Sequence, residues 1–254
     1  PYAITIVHGE TDTSNGTTRS QYASYMAQMQ ADFENDWNTL TGLSDTIPLF
    51  LSQVGQSSIG TIAAGQLDAH RDNPGDVILV GPRYQLEYGA DNLHLTNTGS
   101  KYMGELYAKV MKKVLIDGAT WNPLMPIEVT NVGNIVTIGY NIPTGTLAID
   151  TTNVAAHTDY GFEFIQTGGS SITISSVELI NSNTQVKITL SGTPDGTDPR
   201  IRYAWNCENH LDDAAYLTCG DPSDSGMRGG NIRDTDTSVS PSSDGTGLAL
   251  YDWS

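Results

Sequence analysis

Two short stretches concentrate the side chains able to move a proton or hold a developing charge. They are His8-Gly9-Glu10-Thr11-Asp12-Thr13 and Asp91-Asn92-Leu93-His94-Leu95-Thr96. An imidazole serves as a general base near neutral pH when a carboxylate fixes its tautomer and stabilises the imidazolium. The D-x-x-H spacing offers that pair within one loop, Asp91 beside His94. Taken alone, such a loop more often caps a helix or packs beneath its own leucine. In the first stretch a glycine lets backbone approach a ligand, and donors and acceptors follow it. Gly9 N–H and the Thr11 hydroxyl could donate to a developing oxyanion. Glu10 and Asp12 are acceptors suited to holding neighbouring loops.

The elements that must position these residues are legible as patterns. Tyr2–Val7, Ile47–Leu51 and Val77–Val80 are short apolar runs, as expected of strands buried on both faces. Tyr22, Tyr25, Met26, Met29, Phe33, Trp37 and Leu40 recur every three or four residues and predict one inward helix face. Further helices are predicted over Ile59–Ala69 and Gly99–Leu115. The last carries Lys109, Lys112 and Lys113 near its C-terminus, where the helix dipole favours cations. Alternating strands and helices imply a parallel sheet covered on both faces, with ligands at the C-terminal edge of the strands. Both motifs follow predicted strands, so both belong to that edge. Three strands are thin cover for three helices, and at least one strand–helix unit is expected to precede residue 1.

After Pro123 the pattern changes. Short β-prone runs at Ile127–Val132, Asn134–Ile142, Thr146–Ile149, Gly161–Ile165, Ile172–Ile180, Gln185–Leu190 and Ile201–Trp205 are separated by turn signals. That spacing predicts an antiparallel β-sandwich. The tail Gly220–Ser254 is expected to be irregular, its LALYDW end returning as an edge strand. The expected fold class is therefore α/β: a partial doubly wound parallel sheet over 1–122, then a β-sandwich over 123–254.

With 12 basic against 29 acidic residues the chain carries a net charge of −17. Such a field repels phosphates, which argues against nucleic acid or anionic membranes as partners. No apolar run reaches the roughly 18 residues of a membrane span, so no membrane insertion is expected. Cys207 and Cys219 match no zinc spacing; they form either a loop-stapling disulfide, implying an oxidising compartment, or two buried thiols. His70, His157 and His210 are isolated and expected at the surface. The Asp-rich turns PDGTDP, DPSDSG and DTDT lack the spacing of a calcium loop and are expected to be solvated. No cofactor or metal is expected, and a homo-oligomer is compatible with the chain.

A strand ending in Gly9-Glu10-Thr11-Asp12, followed far downstream by Asp91-Asn92-Leu93-His94-Leu95-Thr96 and then NTGSKYMGELYA, resembles the SGNH hydrolase superfamily. Within it the chain is most similar to the sialate O-acetylesterases and acetylxylan esterases. The resemblance covers about residues 2–115. The stretch RGGNIRDTD (Arg228–Asp236) is similar to a segment near the C-termini of bacteriophage tail deacetylases. The resemblance implies a serine esterase acting on an O-acetylated carbohydrate, secreted or carried on a virion. His94 would be its base, Asp91 the orienting partner, and Gly9, Glu10, Thr11 and Asp12 part of the oxyanion and substrate environment. Thr11 stands where the wider superfamily has an asparagine donor. The family's strand-Gly-Asp/Gln-Ser block would precede residue 1, so the nucleophile is expected upstream. Gly55-Gln56-Ser57 imitates that block in the wrong strand order, and Ser57 reads instead as a helix cap. The other reading is a non-catalytic glycan-binding or structural module.

Overall fold

The computed structural model describes residues 3–55, 61–91, 93–205, 229–241 and 247–254. The chain divides into two compact units, Pro1–Asn122 and Pro123–Ser254. The fold is mixed α/β, with one parallel sheet and several antiparallel ones.

In the first unit the strands β1 (Ile4–Thr5), β2 (Leu49–Gln53) and β3 (Val77–Pro82) form a parallel sheet in that order. Among the described residues β1 is an edge strand. Between the strands run α1 (Glu10–Ser14), α2 (Arg19–Thr41) and α3 (Thr61–Asp72), and α4 (Asn97–Met111) follows β3, ending in a π-helical turn at Lys112–Ile116. Leu49, Leu51, Val77 and Leu79 share a core with Tyr22 and Met26 of α2 and Ile62, Ala63 and Ala69 of α3. Strand residues alternate in direction, so Ser52 points to the opposite face, where the Tyr107 hydroxyl of α4 donates to the Ile6 carbonyl at 2.7 Å and bonds the Ser52 hydroxyl at 3.1 Å. Burial pushes the Tyr107 phenol up to about 12, so it remains a proton donor at neutral pH.

The seven-residue face predicted for α2 is narrower in the structure. Its buried positions are Tyr22, Met26 and Gln30, while Tyr25, Phe33 and Leu40 are exposed, Leu40 by 82%. Tyr22, Met26 and Gln30 lie on one i, i+4, i+8 line, the stripe that faces α3 and the sheet. Close approach to α3 is possible because Gly65 has no side chain; a methyl there would lie 2.8 Å from the Arg19 carbonyl. Farther along, polar bonds replace apolar packing: Gln30 Nε2 donates to the Ile47 carbonyl, and Glu34 accepts from the Ile47 N–H. Thr18 and Gln21 form a reciprocal capping box at the N-terminus, and Gly42 closes the helix with φ of 70°.

The second unit contains a four-stranded antiparallel sheet, β4 (Met125–Val132), β5 (Ile135–Asn141), β9 (Gln185–Leu190) and β8 (Ile174–Ile180), in the order β4-β5-β9-β8. Two further antiparallel pairs join β10 (Thr197–Tyr203) to β7 (Phe162–Thr167) and β11 (Ile232–Asp234) to β6 (Leu147–Ile149). Val136, Ile138, Val186, Ile188 and Leu190 alternate inward and share a core with Leu147, Phe162 and Ile232. The tail is thus not wholly irregular, because Ile232 is fully buried and Ile232–Asp234 pair with β6.

Urea unfolding should separate the two sides of α2. Met26→Ala is expected to lose about 2–5 kcal/mol, whereas Leu40→Gln should stay within about 0.5 kcal/mol. Equal losses at both positions would restore the seven-residue face.

Candidate functional site

Parallel strands end on one edge, and that edge gathers both motifs. After β1 the chain reaches His8 and Gly9 and turns at once into α1, so Glu10-Thr11-Asp12 begin a short helix rather than lying in an open loop. The turn requires glycine: Gly9 has φ of 125°, and a methyl there would meet Val54 Cγ1 at 2.8 Å and Ile62 Cγ2 at 2.9 Å.

After β3, residues Arg83–Thr96 form a loop closed as a small hairpin. Gly89 N–H donates to the His94 carbonyl at 2.7 Å, Thr96 N–H donates to the Glu87 carbonyl at 3.0 Å, and Tyr88 bridges Leu95. Gly99 admits the Glu87 carbonyl, which would stand 2.1 Å from an added methyl. Thr96 caps α4 by accepting from Gly99 N–H at 3.1 Å. At the tip of this hairpin Asp91 Oδ2 lies 2.6 Å from His94 Nδ1, and Asp91 Oδ1 accepts from the N–H groups of Leu93 and His94, both at 3.0 Å. The bond from the His94 ring, then those two backbone donors, hold the Asp91 carboxyl well below the usual carboxylate range. An ionised carboxylate only accepts, so Nδ1 must carry the proton and neutral His94 has its lone pair on Nε2. Both side chains are largely exposed.

The other predicted site residues are placed as follows. Glu10 accepts from Arg83 Nη2 at 2.5 Å, so it holds a neighbouring loop. Asp12 approaches His8 Nδ1 at 3.5 Å and accepts from the Thr17 hydroxyl at 3.4 Å. Thr11 is exposed and its carbonyl accepts from Asn15 N–H. Gly9 is buried. Asn92, Ser57, Cys207, Cys219, His210 and the DPSDSG turn lie outside the described residues.

Two buried residues at this edge, Gln66 and Arg83, have no role in the sequence reading. Gln66, fully buried, accepts from Val54 N–H at 2.8 Å and donates to the His8 carbonyl at 2.9 Å and the Tyr22 hydroxyl at 3.2 Å. Tyr22 in turn lies 3.1 Å from His8 Nδ1. Burial pushes the Tyr22 phenol up to about 12. Arg83, 4% exposed, joins Glu10 to the Gln53 carbonyl. The one signal for Arg83 in the sequence is a charge set immediately after a buried strand.

Three sequence expectations fail on burial. His70 is buried, with Nδ1 within 3.0 Å of the Val77 carbonyl, and burial lowers its pKa. His157 is buried as well, its backbone N–H donating to Asn231 Oδ1. The DTDT turn is not solvated: Asp234, Asp236 and Asp252 are buried and bring one oxygen each within 4.8 Å of the others. Backbone donors draw them in, since Asp234 Oδ1 accepts from the N–H groups of Asp236 and Asp252.

No protein-family model and no curated protein matches the sequence. Among solved structures the chain is similar to a carbohydrate acetylesterase from Xanthomonas citri, with a TM-score of 0.54 and 15% identity. The likeness is one of fold. It covers 81% of this chain and 45% of that one, so this chain spans less than half the esterase's length. The N-terminal part of a bacterial S-layer protein aligns with a TM-score of only 0.22, at 12% identity over 74% of this chain and 39% of that one.

The depressed Asp91 pKa carries a pH dependence. The hairpin bonds to its carboxylate should persist above the ordinary Asp pKa of 3.8 and be lost as pH falls through the depressed value. Nitrogen-15 spectra of neutral His94 should show the proton on Nδ1, and Asp91→Ala should move population to the other tautomer. An unchanged tautomer ratio in Asp91→Ala would show that the carboxylate does not set it.

Proposed function

We propose that the chain is part of a serine-type carbohydrate O-acetyl esterase of the SGNH hydrolase type, related to the sialate O-acetylesterases and acetylxylan esterases. The observation that carries this reading is the 2.6 Å bond between Asp91 and His94 Nδ1 at the C-terminal edge of a parallel sheet. It leaves the basic Nε2 of an oriented imidazole for a hydroxyl. The likeness of fold to a carbohydrate acetylesterase supports the substrate class. In this reading the first unit is the later part of a doubly wound hydrolase domain, and the second is an accessory β-sandwich.

The nucleophilic serine comes from a strand that pairs with the edge of β1, in a segment before Pro1. Its hydroxyl gives its proton to His94 Nε2 as the oxygen attacks the acetyl carbonyl. His94 then protonates the departing sugar oxygen, and an acyl-serine remains. Water attacks the acyl group with the same imidazole as base, releasing acetate and restoring the serine. Asp91 stays ionised throughout and stabilises the imidazolium. The segment from Gly9 to Asp12 contributes to the oxyanion and substrate environment, and the protein works outside the cell or on a virion.

Residues 1–254 alone should not hydrolyse p-nitrophenyl acetate above the background of imidazole catalysis. A chain extended to include the serine segment should turn over an acetylated sugar, and His94→Ala should cost it about 10⁴–10⁶-fold. Ser57→Ala should leave that activity unchanged. Activity that survived His94→Ala, or vanished with Ser57→Ala, would contradict the assignment. An extended chain that bound glycans without cleaving acetate would favour a non-catalytic module.

A further inference from the structure

The two halves of the proposed site come from different loops, and a buried cation stands between them. Arg83 immediately follows β3, is 4% exposed, and reaches two other strand ends. Its Nη2 donates to Glu10 at 2.5 Å, just after β1, and its Nε donates to the Gln53 carbonyl at 3.2 Å, at the end of β2. Its own carbonyl accepts from the Tyr88 hydroxyl at 3.3 Å. Tyr88 bridges Leu95, the residue after His94. Tyr88 is also held close to the end of β2, since a methyl on Gly55 would stand 2.4 Å from its hydroxyl and 2.9 Å from the Arg83 carbonyl carbon.

We propose that Arg83 is the positioning residue of this edge. Its guanidinium, pinned between Glu10 and Gln53, together with its carbonyl on Tyr88, sets the spacing between the Gly9–Asp12 segment and the His94 imidazole. A desolvated guanidinium needs its counter-charge, so Glu10 cannot drift without leaving a buried cation unpaired. A lysine would keep the charge but, as a point donor, could not span Glu10 and the Gln53 carbonyl in the same planar geometry. The catalytic consequence rests on the esterase reading of the same edge, because spacing matters only if acyl transfer happens there.

The test uses Arg83→Lys and Glu10→Gln and has two arms. In the first, amide hydrogen exchange is followed in residues 1–254. Asn15 and Thr17 N–H, which donate to Thr11 and Asp12, report on the first segment; Gly89 and Thr96 N–H report on the hairpin. Both sets should exchange about tenfold faster in either variant, while Ile6 and Leu49 N–H, which bond the strands together, keep their protection. Loosening of only one set, or of the strand amides in parallel, would overturn the proposal. In the second arm, the extended chain with Arg83→Lys should lose about 10²-fold in kcat, with KM for the acetyl ester nearly unchanged. Unchanged kcat despite loosened loops would overturn the positioning role. Absence of turnover in the unmutated extended chain would refute the esterase reading, and the exchange arm would still decide whether Arg83 couples the two segments.

Discussion

An ionised carboxylate has no proton to give, and the arrangement around His94 follows from that. Three N–H groups converge on Asp91, two from the backbone of Leu93 and His94 and one from the imidazole. They keep the carboxyl charged, and a charged carboxylate forces the ring proton onto Nδ1. The pair is local, only three residues apart, so it could form in many loops. What distinguishes this one is the hairpin that carries it. Gly89, Leu95 and Thr96 close it on one side, and the cap on α4 anchors it on the other.

The rest of the edge is built from buried polar groups with few alternatives. Gln66 uses its amide on Val54, His8 and Tyr22, tying the ends of β1 and β2 to the helix layer. Arg83 does the same for β1, β2 and β3. Buried groups of this kind favour one geometry, because each broken bond leaves a desolvated donor or acceptor. Loops above a sheet are ordinarily the mobile part of an α/β unit; here they are bonded by Gln66 from α3 and by Arg83 at the root of the loop after β3.

Much of this was readable from the chain and some was not. Apolar runs located the three parallel strands, and D-x-x-H located the imidazole and its partner, because both depend on residues close in sequence. The inward face of α2 was overread. Phe33 and Leu40 fit the helical period but are exposed, and over this stretch Gln30 and Glu34 bond the Ile47 backbone instead, which periodicity does not report. His70 and His157 looked like surface residues because nothing in the local sequence marks them as buried; the His70 ring meets the Val77 carbonyl, and Asn231 accepts from the His157 backbone N–H. The DTDT aspartates misled for a related reason, since acidic turns are usually solvated, whereas Asp234 accepts from the local N–H of Asp236 and the distant N–H of Asp252. Arg83 and Gln66 carry no motif at all. Their importance arises from three strand ends meeting, which no linear pattern encodes.

The proposed esterase requires a hydroxyl delivered to His94 Nε2 from beside β1, which is an edge strand among the described residues. A crystal structure of the protein extended before Pro1 tests this most directly. The expected result is a serine Oγ within about 2.6–3.2 Å of His94 Nε2, carried by a strand paired in parallel with Ile4–Thr5. A structure in which β1 remained an edge strand, or in which no serine hydroxyl came within reach of that nitrogen, would contradict it.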